Sequence, residues 1–260
     1  MNSKPVPTPL PAATILLLRD QPAFEVLMVK RHHQIDFASG ALVFPGGKTC
    51  PDDHDPGWAE QAIGFDSCPE GERALRIAAI REAYEESAIL LARTPDGRWA
   101  TLDERAGSAR DAVAKGERSF LALVRELGIT PDLTGLIRFA RWITPAMMPK
   151  RFDTWFYLAV APGEQLAAAD GWETVDAEWI APAEVLRLAA AGERKVIFPT
   201  RMNLQMLAES SDAASAAIAA RARPEITVEP QVEQRPGGGV LTIPPEAGYG
   251  AVEEPLSAIS

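Results

Sequence analysis

The chain has 260 residues, 47% hydrophobic and 24% charged, with a formal charge of −10. That length and balance suit one globular domain with a sizeable core and some decoration, or at most two small ones. The negative charge argues against a broad nucleic-acid or anionic-membrane surface, and no apolar run approaches the roughly 20 residues of a membrane span.

Residues 1–11 are Pro-rich and read as a flexible arm without a secretory apolar segment. "ATILLLRD" and "FEVLMVKR" read as strands joined by the turn signal "DQPA", and "ALVFPGGK" as a third apolar run stopped by Pro45-Gly46-Gly47. Residues 48–68 are acidic and rich in breakers, which predicts a loop or short insertion. Pro69, with Glu70 and Glu72, opens a helix expected to run to about Arg93. Two further helices are expected over 102–128, the second stopped by Gly128. "LIRFARWITP", "FDTWFYLAV" and "AEWI" read as strands, and "PAEVLRLAAAG" as a helix with a Gly stop. "TRMNLQMLAESSDAASAAIAARA" reads as one long helical pattern, followed by a strand-like tail broken by Pro and Gly. Strands and helices mix without strict alternation, which favours a mixed α/β (α+β) sandwich. Cys50 and Cys68, the only cysteines, make no disulfide framework, so a reducing, cytoplasmic setting is expected.

The chemistry concentrates in "REAYEE". On a helix, Glu82, Glu85 and Glu86 fall within about 100° of arc, and Arg81 stands four residues before Glu85. Taken alone, such a cluster reads more readily as a solvated helix face. A hard divalent cation is the functional alternative, because Mg²⁺ takes oxygen ligands and bridges carboxylates to phosphates. The Gly-Gly pair alone reads as a plain turn, yet it also lets a backbone approach an ion closely. The two features together are rarer than either.

With both in view, "GGK…REAYEESAI" resembles the Nudix box, in which a Gly is followed by a Glu and then R-E-apolar-x-E-E-x-G-apolar. The resemblance implies a mixed β-sheet sandwiched between helices, and hydrolysis of a nucleoside diphosphate linked to another moiety with Mg²⁺ or Mn²⁺. Carried over by position, Gly47, Glu82, Glu85 and Glu86 are the metal ligands, Arg81 orients the carboxylates, and Glu85 is the catalytic base. The chain departs from the box in three places. Ala88 stands where the family has Gly, so the helix is expected to continue. Gly47 and Arg81 are 34 positions apart, about 20 more than in a compact box. The lone acid expected eight positions before Arg81 is Arg73, with Glu72 or Glu70 as stand-ins. "FASGALVFPGG", "RWITPAMMPKRFDTWFYLA" and "AEWIAPAEVL" are similar to the branch that includes the peroxisomal coenzyme A diphosphatase, with insertions at about 48–68 and 94–136. The resemblance covers roughly 12–208 and leaves 209–260 as a helix end and tail. It implies coenzyme A or an acyl derivative as substrate, with ADP-ribose or NADH as the alternative. A catalytically silent ligand-binding regulator is the rival from another class. The partner is a small molecule, neither nucleic acid nor membrane, and a homodimer stays open.

Among the remaining residues, Arg31 and Arg151 are the candidates for a substrate phosphate, with a surface charge and a pair to Asp153 as their respective alternatives. Glu173 and Glu178 lie near a later strand where an extra metal-binding or basic carboxylate is expected. His32, His33 and His54 lack zinc-ligand spacing and read as surface residues. Trp142, Trp155 and Trp179 read as core. The insertion at 48–68 is expected to form a rim over the substrate. No G-x-S-x-G or G-x-x-x-x-G-K-[ST] occurs, which leaves serine-hydrolase and P-loop readings unsupported.

Overall fold

A computed structural model describes residues 5–32, 39–102, 104–163, 165–171, 173–250 and 252–256. His33 and the start of "FASGALVFPGG" lie outside the described residues. The backbone of the fold is a mixed sheet whose centre is β1 (Leu10–Arg19). Its apolar run is buried on both faces, as a central strand requires. Ala13, Ile15 and Leu17 enter one core and Leu16 and Leu18 the other. Antiparallel to β1 run β2 (Glu25–Arg31) and β4 (Gly46–Lys48), while β3 (Leu42–Val43) pairs with β2.

Residues 48–68 are a folded insertion rather than an open loop. Pro51–His54 form a 3-10 turn and Trp58–Gln61 a short helix, α1. Trp58 is fully buried, donates to Asp52 O at 2.8 Å and packs on Phe120 with ring centroids 5.7 Å apart. Next comes α2 (Arg73–Ser87), which carries the charged cluster across the sheet, followed by β5 (Ala92–Arg93). The two expected helices are α3 (Glu104–Ala114) and α4 (Phe120–Leu127), and Gly128 closes α4 at φ 63°. The Asp52 carboxylate caps α4 by accepting from Ser119 Oγ and from the N–H groups of Phe120 and Leu121.

A short β6 (Thr130–Pro131) pairs with β5. Then β7 (Ile137–Ile143) runs antiparallel to β8 (Phe152–Val160), which lies parallel to β1, and β9 (Thr174–Ile180) pairs with β2. On the face opposite α2 lie α5 (Pro182–Ala190), α6 (Phe198–Leu207) and α7 (Ala213–Ala222). The long helical pattern is thus two helices. Asp212 accepts from Ser215 N at 2.7 Å and Ser215 Oγ from Asp212 N at 3.2 Å, a capping box that starts α7 afresh. In the tail, β10 (Thr227–Val228) extends the main sheet beside β7, and β11 (Gln231–Arg235), β12 (Gly238–Thr242) and β13 (Glu253–Pro255) form a separate three-stranded sheet. Helices cover both faces of the large sheet, the sandwich that the sequence predicts. Among the described residues no helix is long and apolar enough to cross a membrane.

The end of α2 differs from expectation. It stops at Ser87, and Ala88 turns the chain at φ 60°, ψ 20°. Ile89, Leu90, Leu91 and Ala92 are all buried. The turn is closed by Ala88 N on Tyr84 O at 3.0 Å and Ile89 N on Ala83 O at 3.3 Å, the bonds of a helix end that glycine usually makes, here made despite the side chain at 88. An L-residue in this region costs about 1–2 kcal/mol. Ala88→Gly removes that strain and regains about 0.4–1 kcal/mol of freedom for the unfolded chain. A net stabilisation of up to about 1 kcal/mol is expected, read as a higher denaturant midpoint at unchanged m-value.

Candidate active site

The last two turns of α2 face β4. There Glu82, Glu85 and Glu86 are buried, Glu86 with only 2% of its surface exposed. Gly46 N donates to Glu86 Oε2 at 2.9 Å. A Cβ on Gly47 would stand 2.4 Å from Glu82 Oε1, so only glycine lets β4 approach this carboxylate. The expected union of the Gly-Gly strand and the three glutamates is therefore present.

Arg81 organises the acids. Its Nη1 donates to Glu82 Oε1 at 2.8 Å and to both Glu85 oxygens at 3.0 and 3.1 Å, and its Nη2 reaches Lys48 O at 2.9 Å. Its remaining edge meets Asp53 as a fork, Nε to Oδ1 at 2.9 Å and Nη2 to Oδ2 at 3.0 Å. Asp53 is buried within the 48–68 segment, so that segment supports the site directly. Sequence reasoning missed Asp53. A compact box puts its lone acid eight positions before the Arg, hence about six after the Gly, and six positions after Gly47 is Asp53. Counting from the glycine would have found it, because the extra residues lie after Asp53. The stand-ins are elsewhere: Glu70 is exposed, and Glu72 is held by Arg76, Arg138 and Tyr157.

Two more contacts fix the end of α2. Arg110 of α3 donates from Nε to Glu85 O at 2.7 Å, and Thr174 Oγ1 donates to Glu86 O at 3.1 Å. Neither residue carries a sequence signal for this role, since each acts on a backbone carbonyl reached only through the fold.

Burial raises the pKa of all three glutamates. Glu82 rises to about 7, with Arg81 opposing and Glu85 adding to the effect. Glu85 rises through burial against the pull of Arg81. Glu86 lies well above the usual carboxylate range through burial and the charge of Glu82, with Arg31 opposing. Burial disfavours the Arg81 charge, but Glu82, Asp53 and Glu85 outweigh it and raise its pKa.

Among the residues expected from sequence, Arg31 lies near enough for its charge to act on the cluster. It ends β2, its charge acts on Glu86, and its buried Nε has no hydrogen-bond partner among the described residues. Glu173 is exposed and its charge reaches Glu82, Glu85 and Glu86. Glu178 instead pairs with Arg194 at 3.6 Å. Arg151 is not brought to the cluster. Its guanidinium is spent on Thr144 O, Pro7 O and Glu229, and Asp153 pairs with Arg141 rather than with Arg151. His54 is exposed, Trp142 lies in the core on the face opposite α2, and Trp155 and Trp179 are partly buried against the core under α2.

The donor set fits a hard cation. Asp53, Glu82, Glu85 and Glu86 bring four carboxylates, and Arg81 and Arg31 two guanidiniums, which leaves two negative charges in a buried place. A divalent ion would offset that charge with oxygen donors. Among the described residues no three acidic, His or Cys side chains converge on one point, because Arg81 holds two of the glutamates and Gly46 the third.

The family profile described as the NUDT19 Nudix domain matches residues 60–206, which include the whole of α2. The chain belongs to the Nudix hydrolase family. A Nudix hydrolase from Alicyclobacillus acidocaldarius superposes with a TM-score of 0.70 at 29% identity, covering 81% of this chain and 96% of that one. The human acyl-coenzyme A diphosphatase NUDT19 is 29% identical, over 62% of this chain and 54% of its own. Its Xenopus laevis counterpart is 25% identical, over 63% and 54%. This Nudix chain thus spans about half the length of the curated relatives it matches.

Proposed function

We propose that the chain is a divalent-metal-dependent diphosphatase that cleaves coenzyme A or an acyl derivative. The observation that carries the metal dependence is the buried excess of carboxylate over guanidinium around Arg81. The substrate rests on relatives named acyl-coenzyme A diphosphatase. Glu82, Glu85 and Glu86, with the Gly47 backbone, would hold Mg²⁺ or Mn²⁺, which supplies charge neutralisation at the diphosphate and an acidified water. Arg81 holds Glu82 and Glu85 in position, and Asp53 holds Arg81. Glu85 takes the proton of the attacking water, and burial brings its pKa closer to neutrality than that of a free carboxylate. Arg31, whose charge acts on Glu86, would hold a phosphate oxygen with its guanidinium. The free, half-buried thiols of Cys50 and Cys68 suit a reducing, cytoplasmic setting.

The test is hydrolysis of coenzyme A, acetyl-coenzyme A, ADP-ribose and NADH with and without Mg²⁺ or Mn²⁺, with products identified by mass. The expected result is 3′,5′-ADP with 4′-phosphopantetheine or its acyl form, only with metal, and the highest kcat/KM for a coenzyme A compound. A tenfold preference for ADP-ribose or NADH overturns the substrate but leaves the chemistry. No metal-dependent cleavage of any member overturns the hydrolase. Two features favour the silent-regulator alternative, Ala88 and the lengthened box; against it stand the complete set of glutamates and the turn that Ala88 makes.

A further inference from the structure

A second, chemically different cleft lies at the other side of the sheet. β10 joins β7 only at Thr227 and Val228, opposite Arg141 and Trp142. Before that point the segment from the end of α7 diverges from β7 and leaves a cleft of about 320 Å³. This edge is separated from Gly46 and Gly47 by β8 and β1. The size suits a small ligand.

Five arginines line the cleft in a chain whose net charge is −10. Three are compensated. Arg76 and Arg138 share Glu72, Arg138 also holds Glu225, and Arg141 forks onto Asp153. The other two are less so. Arg221, exposed in the last turn of α7, makes no ion pair among the described residues. Arg223 lies over the Phe139 ring at 5.3 Å, and its Nη2 donates to Met206 O at 3.3 Å. Its one acidic neighbour, Glu209, is 3.6 Å away on a side chain 70% exposed. The Nη1 of Arg223 is buried with no hydrogen-bond partner among the described residues. A donor left without an acceptor is costly, so the guanidinium gains by turning toward an acceptor placed in the cleft that Arg223 lines.

We propose that this cleft binds a phosphate monoester, whose oxygens are held by Arg221 and Arg223. An anion matches Arg221, which has no ion pair among the described residues, and Arg223, whose ion pair to the exposed Glu209 is long, and a planar fork suits phosphate oxygens. The compensated arginines form a rigid wall, since Arg138 and Arg141 also lie against Trp155, 5.6 and 4.8 Å from its ring. Nothing in this site uses the carboxylate cluster or its metal, so the proposal stands apart from the hydrolase reading.

The test is calorimetric titration of the full chain with inorganic phosphate, AMP and adenosine in EDTA, which denies the carboxylate cluster a metal to bridge phosphate. Phosphate and AMP are expected to saturate one site per chain and adenosine to show no binding. Arg221→Gln and Arg223→Gln should each weaken AMP roughly tenfold, the size of one charge-assisted hydrogen bond. Arg187→Gln, at an exposed arginine of α5 paired with Glu184, should leave AMP binding unchanged. Arg221 is exposed, so its variant tests the site even where loss of Arg223 disturbs Phe139. The proposal is overturned if phosphate and AMP do not saturate, if adenosine binds as well as AMP, or if AMP binding survives unchanged in both cleft variants.

Discussion

Glu85→Gln and Glu86→Gln should each lower metal-dependent turnover by roughly 10²-fold or more while raising the stability of the metal-free chain. Both effects follow from the same burial. The amide keeps the shape and an acceptor oxygen for Arg81 Nη1 or Gly46 N, but it removes a charge from a cluster that already carries too many. The pH dependence follows by linkage. Glu82 has a folded pKa of about 7 against an ordinary 4.5. Between those values the folded chain keeps a proton that the unfolded chain has released. Stability of the metal-free protein is therefore greatest below about pH 4.5 as far as this group is concerned, falls as pH rises to about 7, and stays reduced above it. Glu85 and Glu86 shift in the same direction and add to the fall. Mg²⁺ or Mn²⁺ should cancel it, so the metal-induced rise in Tm should be larger at pH 8 than at pH 5.5. Thermal unfolding at both pH values with and without metal reads this directly. Near-normal turnover in both Gln variants, or a metal effect independent of pH, contradicts the site.

The parts of the molecule that local pattern determines were readable before the structure. The apolar runs of β1 and β2 are central strands because nothing polar interrupts them, and Gly128 ends α4 as a glycine does at positive φ. The acid-bearing face of α2 was readable because its chemistry is written at consecutive helical positions. What escaped depends on contacts distant in sequence. Arg151 looks like a free cation beside Asp153 until the fold brings Pro7, 144 positions earlier, and Glu229, 78 positions later, onto its guanidinium. Asp52 and Asp53 look like loop acids until α4 and Arg81 arrive to use them. The turn at Ala88 was hidden because an alanine carries no local signal for positive φ, and the sequence alone reads as a helix that continues.

Removing the guanidinium of Arg81 should have the largest effect on stability. Arg81→Gln leaves Asp53, Glu82 and Glu85 without the cation that each touches within 3.1 Å. Breaking a buried ion pair from one side costs about 3–5 kcal/mol, and turnover falls with it because the glutamates lose their common anchor. Lowering the pH toward 5 or adding Mn²⁺ should recover part of the stability, since either one offsets the stranded charge. Asp53→Asn is milder. It removes one of four carboxylates and keeps the side-chain shape, while Arg81 retains Glu82 and Glu85. Its main cost is the fork to Arg81 and the acceptor for Cys50 N at 2.8 Å. The double variant decides whether the two act as one unit. Residues in direct contact show coupling of about 0.5–3 kcal/mol, so Arg81→Gln/Asp53→Asn should be less destabilised than the sum of the single variants. If the losses add without coupling, or if Arg81→Gln unfolds at the wild-type midpoint, then Arg81 is not the anchor of the acids, and the assignment of the 48–68 segment to the support of the active site fails with it.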